Sequence, residues 1–255
     1  MKTKILSIAV ASLVCASMAE ARFFIGLDVG YTSAISETNG GVSGSGNTRF
    51  LSVKPSSWSS AFKTKTWSGT FGTPSGTTST FTQDPYSGFN INLNFGSEHF
   101  FLDDYLGIRV GGLVGYTSYS NSTRIETSAQ YGRYLIGIKE TYDFLDAGIN
   151  FDLMVNFWSN GSYSFGVFGG VEVDYHYLLD FNNSKTRESA KDFPSRHAFD
   201  LAGRVGVSTL MANHHRLDVL AKLPIGSVIS GTETKANLIS VFPTININVG
   251  YKYIF

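Results

Sequence analysis

From Ile245 to Phe255 every odd position is apolar or aromatic, while Asn246, Asn248, Gly250 and Lys252 fill most even ones. A period of two predicts a strand with an oily face and a polar face. Ten or so such residues cross a bilayer as a tilted strand. A lone strand would leave its backbone groups unpaired in lipid. The tail therefore predicts a closed barrel, provided that the rest of the chain supplies partners.

Seven further segments alternate in the same way: residues 23–32, 88–95, 105–118, 145–158, 163–179, 197–210 and 216–228, with the last strand at 238–255. The prediction is an all-β, eight-stranded antiparallel transmembrane barrel. Its connections are about 55, 9, 26, 4, 17, 5 and 9 residues, long after odd strands and short after even ones, as long extracellular loops and short periplasmic turns require. Asn160-Gly161 is a two-residue hairpin signal. Tyr134, Ile136 and Ile138 are apolar at even positions, whereas Ala147 to Phe157 is apolar at odd ones. That change of parity between Lys139 and Leu145 predicts a bulge or a strand break. Residues 121–132 read as loop. Residues 33–87, rich in Ser, Thr and Gly but holding Trp58 and Trp67, read as a partly ordered extracellular loop with short hairpins.

The N-terminus breaks the pattern. Lys2 and Lys4 precede a short apolar run, and Ala19-Glu20-Ala21 offers the small residues of a cleavage site. Residues 1–21 are read as a signal peptide cut before Arg22, leaving 22–255 as the barrel. The run is too short for a transmembrane helix. Cys15 is the only cysteine, and Val14 before it does not suit lipid attachment. The mature chain then has no disulfide and no thiol chemistry.

Charge sharpens the picture. Asp28, Arg109, Asp146, Asp152, Glu172, Asp174, Asp200, Arg204, Arg216, Asp218, Lys222 and Lys252 all fall on the face opposite the apolar residues. A basic side chain facing lipid at the bilayer midplane would cost about 2–4 kcal/mol. These twelve are assigned to a lumen in which seven acids and five bases pair across a narrow interior, plugged or nearly so. Phe23, Phe95, Phe157, Trp158, Tyr163, Tyr253 and Phe255 form a predicted periplasmic girdle, and Tyr31, Tyr116, Tyr175, Tyr177 and Phe199 an outer one. A formal net charge of zero gives no support for a nucleic-acid partner.

Little points to catalysis. His176 faces inward beside Asp174 and Glu172, where a carboxylate could orient an imidazole base; a hydrogen-bonded lumen histidine is the preferred reading. His214-His215 has only Asp218 nearby as an acid, too little for a metal site. Gly40 to Gly46 lacks the lysine of a phosphate loop. No cofactor or metal is expected, and the chain is read as a non-enzyme.

His99-Phe100-Phe101 running into Leu106-Gly107-Ile108-Arg109, the segment 145–157, Phe165 to Gly170, Gly203-Arg204-Val205-Gly206, the His214-His215 turn, Lys222-Leu223-Pro224-Ile225 and the aromatic ending together resemble the C-terminal barrel of Helicobacter outer-membrane proteins. The resemblance covers roughly residues 97–255. It implies a bacterial outer-membrane location, and a family containing adhesins and proteins described as porins. It also implies that Tyr251, Tyr253 and Phe255 act as the signal read by the barrel-assembly machinery. The large adhesins carry a long extracellular domain that this chain lacks, so binding of a defined glycan is not carried over. The expected partners are outer-membrane lipid, the assembly machinery and a host-cell or glycan ligand, with the barrel itself a monomer. Three functions stay open: a surface-interaction barrel, a narrow channel, and a rim enzyme.

Overall fold

The computed structural model describes residues 21–35, 42–43, 48–70, 78–129, 132–183, 197–230 and 243–255. The proposed signal peptide and the first residues of the predicted last strand lie outside these. Eight long antiparallel strands close into a ring: β1 (Arg22–Ala34), β6 (Ser87–Phe101), β7 (Leu106–Ala129), β8 (Gly132–Ser159), β9 (Ser164–Asn183), β10 (His197–Met211), β11 (His215–Ser230) and β12 (Thr244–Ile254). Each pairs with the next, and β12 returns to β1 from Phe24↔Ile254 to Ala34↔Thr244. Closure leaves the ring without an edge, as a sheet in lipid requires. Among the described residues no helix is long and apolar enough to cross a membrane.

The outward residues form a continuous apolar belt. Ile25, Leu27, Val29, Ile91, Leu93, Val110, Phe151, Leu153, Val171, Val205, Val219 and Val249 are all exposed. A soluble monomer rarely exposes more than a few hundred Å² of contiguous apolar surface. Around the whole circumference such a belt is stable only against lipid.

The long connections differ from the expectation in a way that has a physical cause. Residues 119–129 and 132–144 are strand rather than loop, because β7 and β8 stay paired in unbroken register up to Ala129↔Gly132. Even-numbered β8 residues face inward from Tyr142 to Asn156, and Leu135, an odd one, is 71% exposed. The parity change thus marks the point where water replaces lipid outside the wall, so that the inner face becomes the apolar one. A register shift does occur between Asp143 and Phe144, but in the pairing with β9.

The described residues of the segment 33–87 are likewise largely built into regular elements. It contains β2 (Val42–Ser43), β3 (Thr48–Ser52), a 3-10 helix (Pro55–Phe62), β4 (Lys65–Thr70) and β5 (Thr78–Gln83). β5 pairs the extension of β7 and carries β4 on its far side, giving an extracellular sheet in the order β4-β5-β7-β8. At the other end the turns are tight. Gly161 (φ +82°) supplies the left-handed residue of the Asn160-Gly161 hairpin, and Ala212 and Asn213 also have positive φ.

Candidate functional site

The lumen is where the sequence concentrates its chemistry. Inward positions alternate with lipid-facing ones along every strand, so each inward charge must find its partner across the ring. All twelve predicted residues are buried there, none more than 8% exposed.

Nine of them form one ladder. Lys252 Nζ lies 3.7 Å from Asp28 and 2.5 Å from Asp218. Arg109 donates to Asp218 at 2.8 Å and to Asp152 at 2.9 Å. Arg204 Nε lies 3.2 Å from Asp152 Oδ1, and its guanidinium also binds Glu172. Lys222 donates to Glu172 at 2.9 Å and binds Asp174. The guanidinium of Arg109 also sits 4.5 Å from the Phe168 ring centroid, a further favourable contact for a desolvated cation. Single buried pairs barely repay their desolvation. Here most members touch two partners, which offsets that cost.

The remaining three stand apart. Arg216 donates to Glu98 at 2.9 Å and to Ser208 at 2.8 Å near the periplasmic end. Glu98 was absent from the predicted set, because Gly96 read as the end of its strand. In fact β6 runs on to Phe101, and Glu98 keeps the parity of Asn90, Asn92 and Asn94. That parity was the signal available. Phe100 fills the space over Gly107, where an added Cβ would come within 2.6 Å of its ring. In the outer half, Asp146 and Asp200 bracket His176, at 2.6 Å from Nδ1 and 3.3 Å from Nε2. Asp146 also accepts from Thr117 and Asp200 from Ser227, both at 2.5 Å. With both ring nitrogens facing carboxylates, His176 ties β8 to β10.

Above the charges the lumen ends in an aromatic cap. Tyr86, Tyr119, Tyr142 and Phe144 are buried with Ala34, Leu178 and Ala198. Their rings meet at centroid distances from 5.4 Å (Tyr119–Phe144) to 6.4 Å (Tyr86–Tyr119). Tyr86 donates to Glu140 at 2.8 Å. Burial first, then the neighbouring Tyr142 and Glu140, push its phenol well above the ordinary value, so it stays a donor. Between cap and ladder lies a cavity of about 20 Å³, lined among others by Asn92, Asp146, Asp174, His176 and Asn246. That is room for about one water.

The predicted assembly-signal residues lie at the opposite end. Tyr251 and Phe255 face outward and are exposed. The His214-His215 turn is fastened to them: His214 stacks on Tyr253 at 5.6 Å, and His215 Nδ1 lies 2.7 Å from the Tyr251 hydroxyl. Among the described residues no cluster of His, Cys, Asp or Glu could hold a metal.

A protein-family model described as Helicobacter outer membrane protein matches residues 92–255. The chain belongs to the Helicobacter outer membrane protein family. Its residence is therefore the bacterial outer membrane, consistent with the closed ring and the apolar belt. No curated protein matches the chain. Solved structures similar to this family member include the outer membrane protein OprG from Pseudomonas aeruginosa, at 14% identity, TM-score 0.37, covering 92% of this chain and 96% of that one. Ail, the attachment invasion locus protein of Yersinia pestis, follows at 11% identity and TM-score 0.29, covering 90% of this chain and 97% of its own. LpxR from Salmonella typhimurium has 10% identity and TM-score 0.24, covering 90% and 100%.

Proposed function

We propose that this outer-membrane barrel is a surface-interaction protein: a sealed cylinder that holds an extracellular β-structure up to a host cell or matrix. The supporting observation is the contrast between its two ends. The lumen is filled by the ladder, the His176 bracket and the aromatic cap. The outer end, by contrast, continues the wall as a sheet whose inner face carries an aligned row from Phe81 through Ile125 to Ile136. Phe81 and Ile125 are half-buried, and Ile136 is 45% exposed. Aromatic and aliphatic side chains of this kind anchor protein interfaces.

The test replaces residues 64–83 by a short linker in the full barrel displayed on cells. Heat-modifiable gel mobility checks that the barrel still closes. The reading predicts loss of most adherence to epithelial layers or matrix. Undiminished adherence of the folded variant would refute it. His176 is assigned a clamping role rather than a base, so His176→Ala is expected to change stability and not to abolish any lipid or peptide turnover.

A further inference from the structure

The 3-10 helix Pro55–Phe62 lies on the outer wall at the height where the lipid belt ends. Counting from Phe23, a strand crosses the hydrocarbon in about 9–11 residues, so the outer boundary falls near Tyr31 to Ser33. Outward residues on β1 are exposed from Phe23 to Tyr31, but the next two outward positions, Ser33 and Ile35, are fully buried. Ile245, the outward residue above Ile247 on β12, is buried too, and both isoleucines pack with Val53 and Ala61, with Trp58 and Leu223 against them.

The backbone explains the placement. β11 stays with β12 only as far as Lys222↔Asn246, then pairs β3 from Gly226↔Ser52 onward. At the changeover Trp58 Nε1 donates to Pro224 O at 3.2 Å, and Val53 N donates to Ile225 O at 2.8 Å. Ser33 donates to Ala61 O at 2.5 Å and fixes the far end to β1. The helix is thus strapped across the top of β12, with its other side turned outward.

That side has a composition suited to a charged lipid interface. Phe62 is 51% exposed, while Trp58, packed against the wall, is half-buried. Lys54 and Lys63, at the two ends of the helix, are exposed. Between Glu37 and Asp84 the chain carries Arg49, Lys54, Lys63 and Lys65 and no acid. Aromatic rings at headgroup depth flanked by lysines are how proteins grip an anionic membrane surface.

We propose that Lys54, Lys63 and Phe62 form an interfacial platform that binds phosphate-bearing lipid headgroups of the outer leaflet. The lysines meet the phosphates while Phe62 enters the acyl boundary. The proposal is independent of what the extracellular sheet recognises.

Native mass spectrometry of the full barrel tests it. The barrel is released from micelles holding equal amounts of bis-phosphorylated lipid A and the same lipid with its phosphates removed. Wild type should retain the phosphorylated lipid in preference by about tenfold or more, the scale set by two lysines near an anionic surface. The double variant Lys54→Gln/Lys63→Gln should lose that preference, and Lys54→Arg/Lys63→Arg should keep it. Excess inorganic phosphate should leave it in place. Equal retention by wild type, or an unchanged preference in the Gln variant, would overturn the proposal. Abolition by inorganic phosphate would show a simple anion site and overturn it equally. Gel mobility confirms that each variant is folded.

Discussion

The cation Lys222 illustrates what single residues do in this barrel. It is the only ion-pair partner described for Asp174, and it shares Glu172 with Arg204. Removing one member of a buried pair typically costs 3–5 kcal/mol, whereas replacing both by apolar groups can be neutral. Lys222→Met should therefore destabilise the barrel by about 3 kcal/mol or more, read as a lower urea midpoint after refolding into vesicles. The double variant Lys222→Met/Asp174→Leu should recover much of that loss. No recovery would mean that the pair contributes net stability rather than removing a liability. Space is equally specific. A Cβ at Gly206 would come within 2.5 Å of the Phe168 ring, which also carries Arg109. Gly206→Val should cost about 1–3 kcal/mol by overpacking, measured in the same titration; a neutral result would mean that Phe168 has room to move.

Elements show where the sequence could be read and where it could not. The eight crossings were legible because lipid on one side and a polar lumen on the other enforce strict alternation, as in Ile245 to Phe255. The twelve inward charges followed from the same parity, although their partners did not, since pairs such as Arg109 with Asp218 join strands distant in sequence. Above the membrane the rule reverses: Ile136 points inward and Leu135 outward, so a continuous strand, with its register shift only in the pairing with β9, looked like a loop. β4 and β5 were hidden for another reason. Their Thr and Ser residues suit both faces of a wet sheet, leaving only Trp67 and Phe81 as a period. The strap also depends on contacts invisible in sequence. Trp58→Ala removes a hydrogen bond to Pro224 and packing against the cluster of Ile35, Val53, Ala61 and Ile245. It should speed tryptic cleavage after Lys63 by at least about tenfold, since a large, half-buried side chain is worth about 1.5 kcal/mol or more. Unchanged cleavage in membrane-reconstituted protein would show that the strap does not rely on Trp58.

For the whole molecule, the lipid belt, the closed ring and the inward charges make one argument: the wall satisfies the membrane, and the interior satisfies itself. A ladder from Asp28 to Asp174, a bracketed His176 and a cap of Tyr86, Tyr119, Tyr142 and Phe144 occupy the lumen, with a cavity of about 20 Å³ between cap and ladder. In the proposed function, the extracellular sheet is the part that meets a partner. Planar-bilayer recording of the refolded full-length barrel tests this most directly. A sealed lumen predicts no stable, reproducible current steps of porin size at moderate voltage. Such steps, seen with protein shown to be folded by its gel mobility, would contradict a sealed barrel and favour a channel.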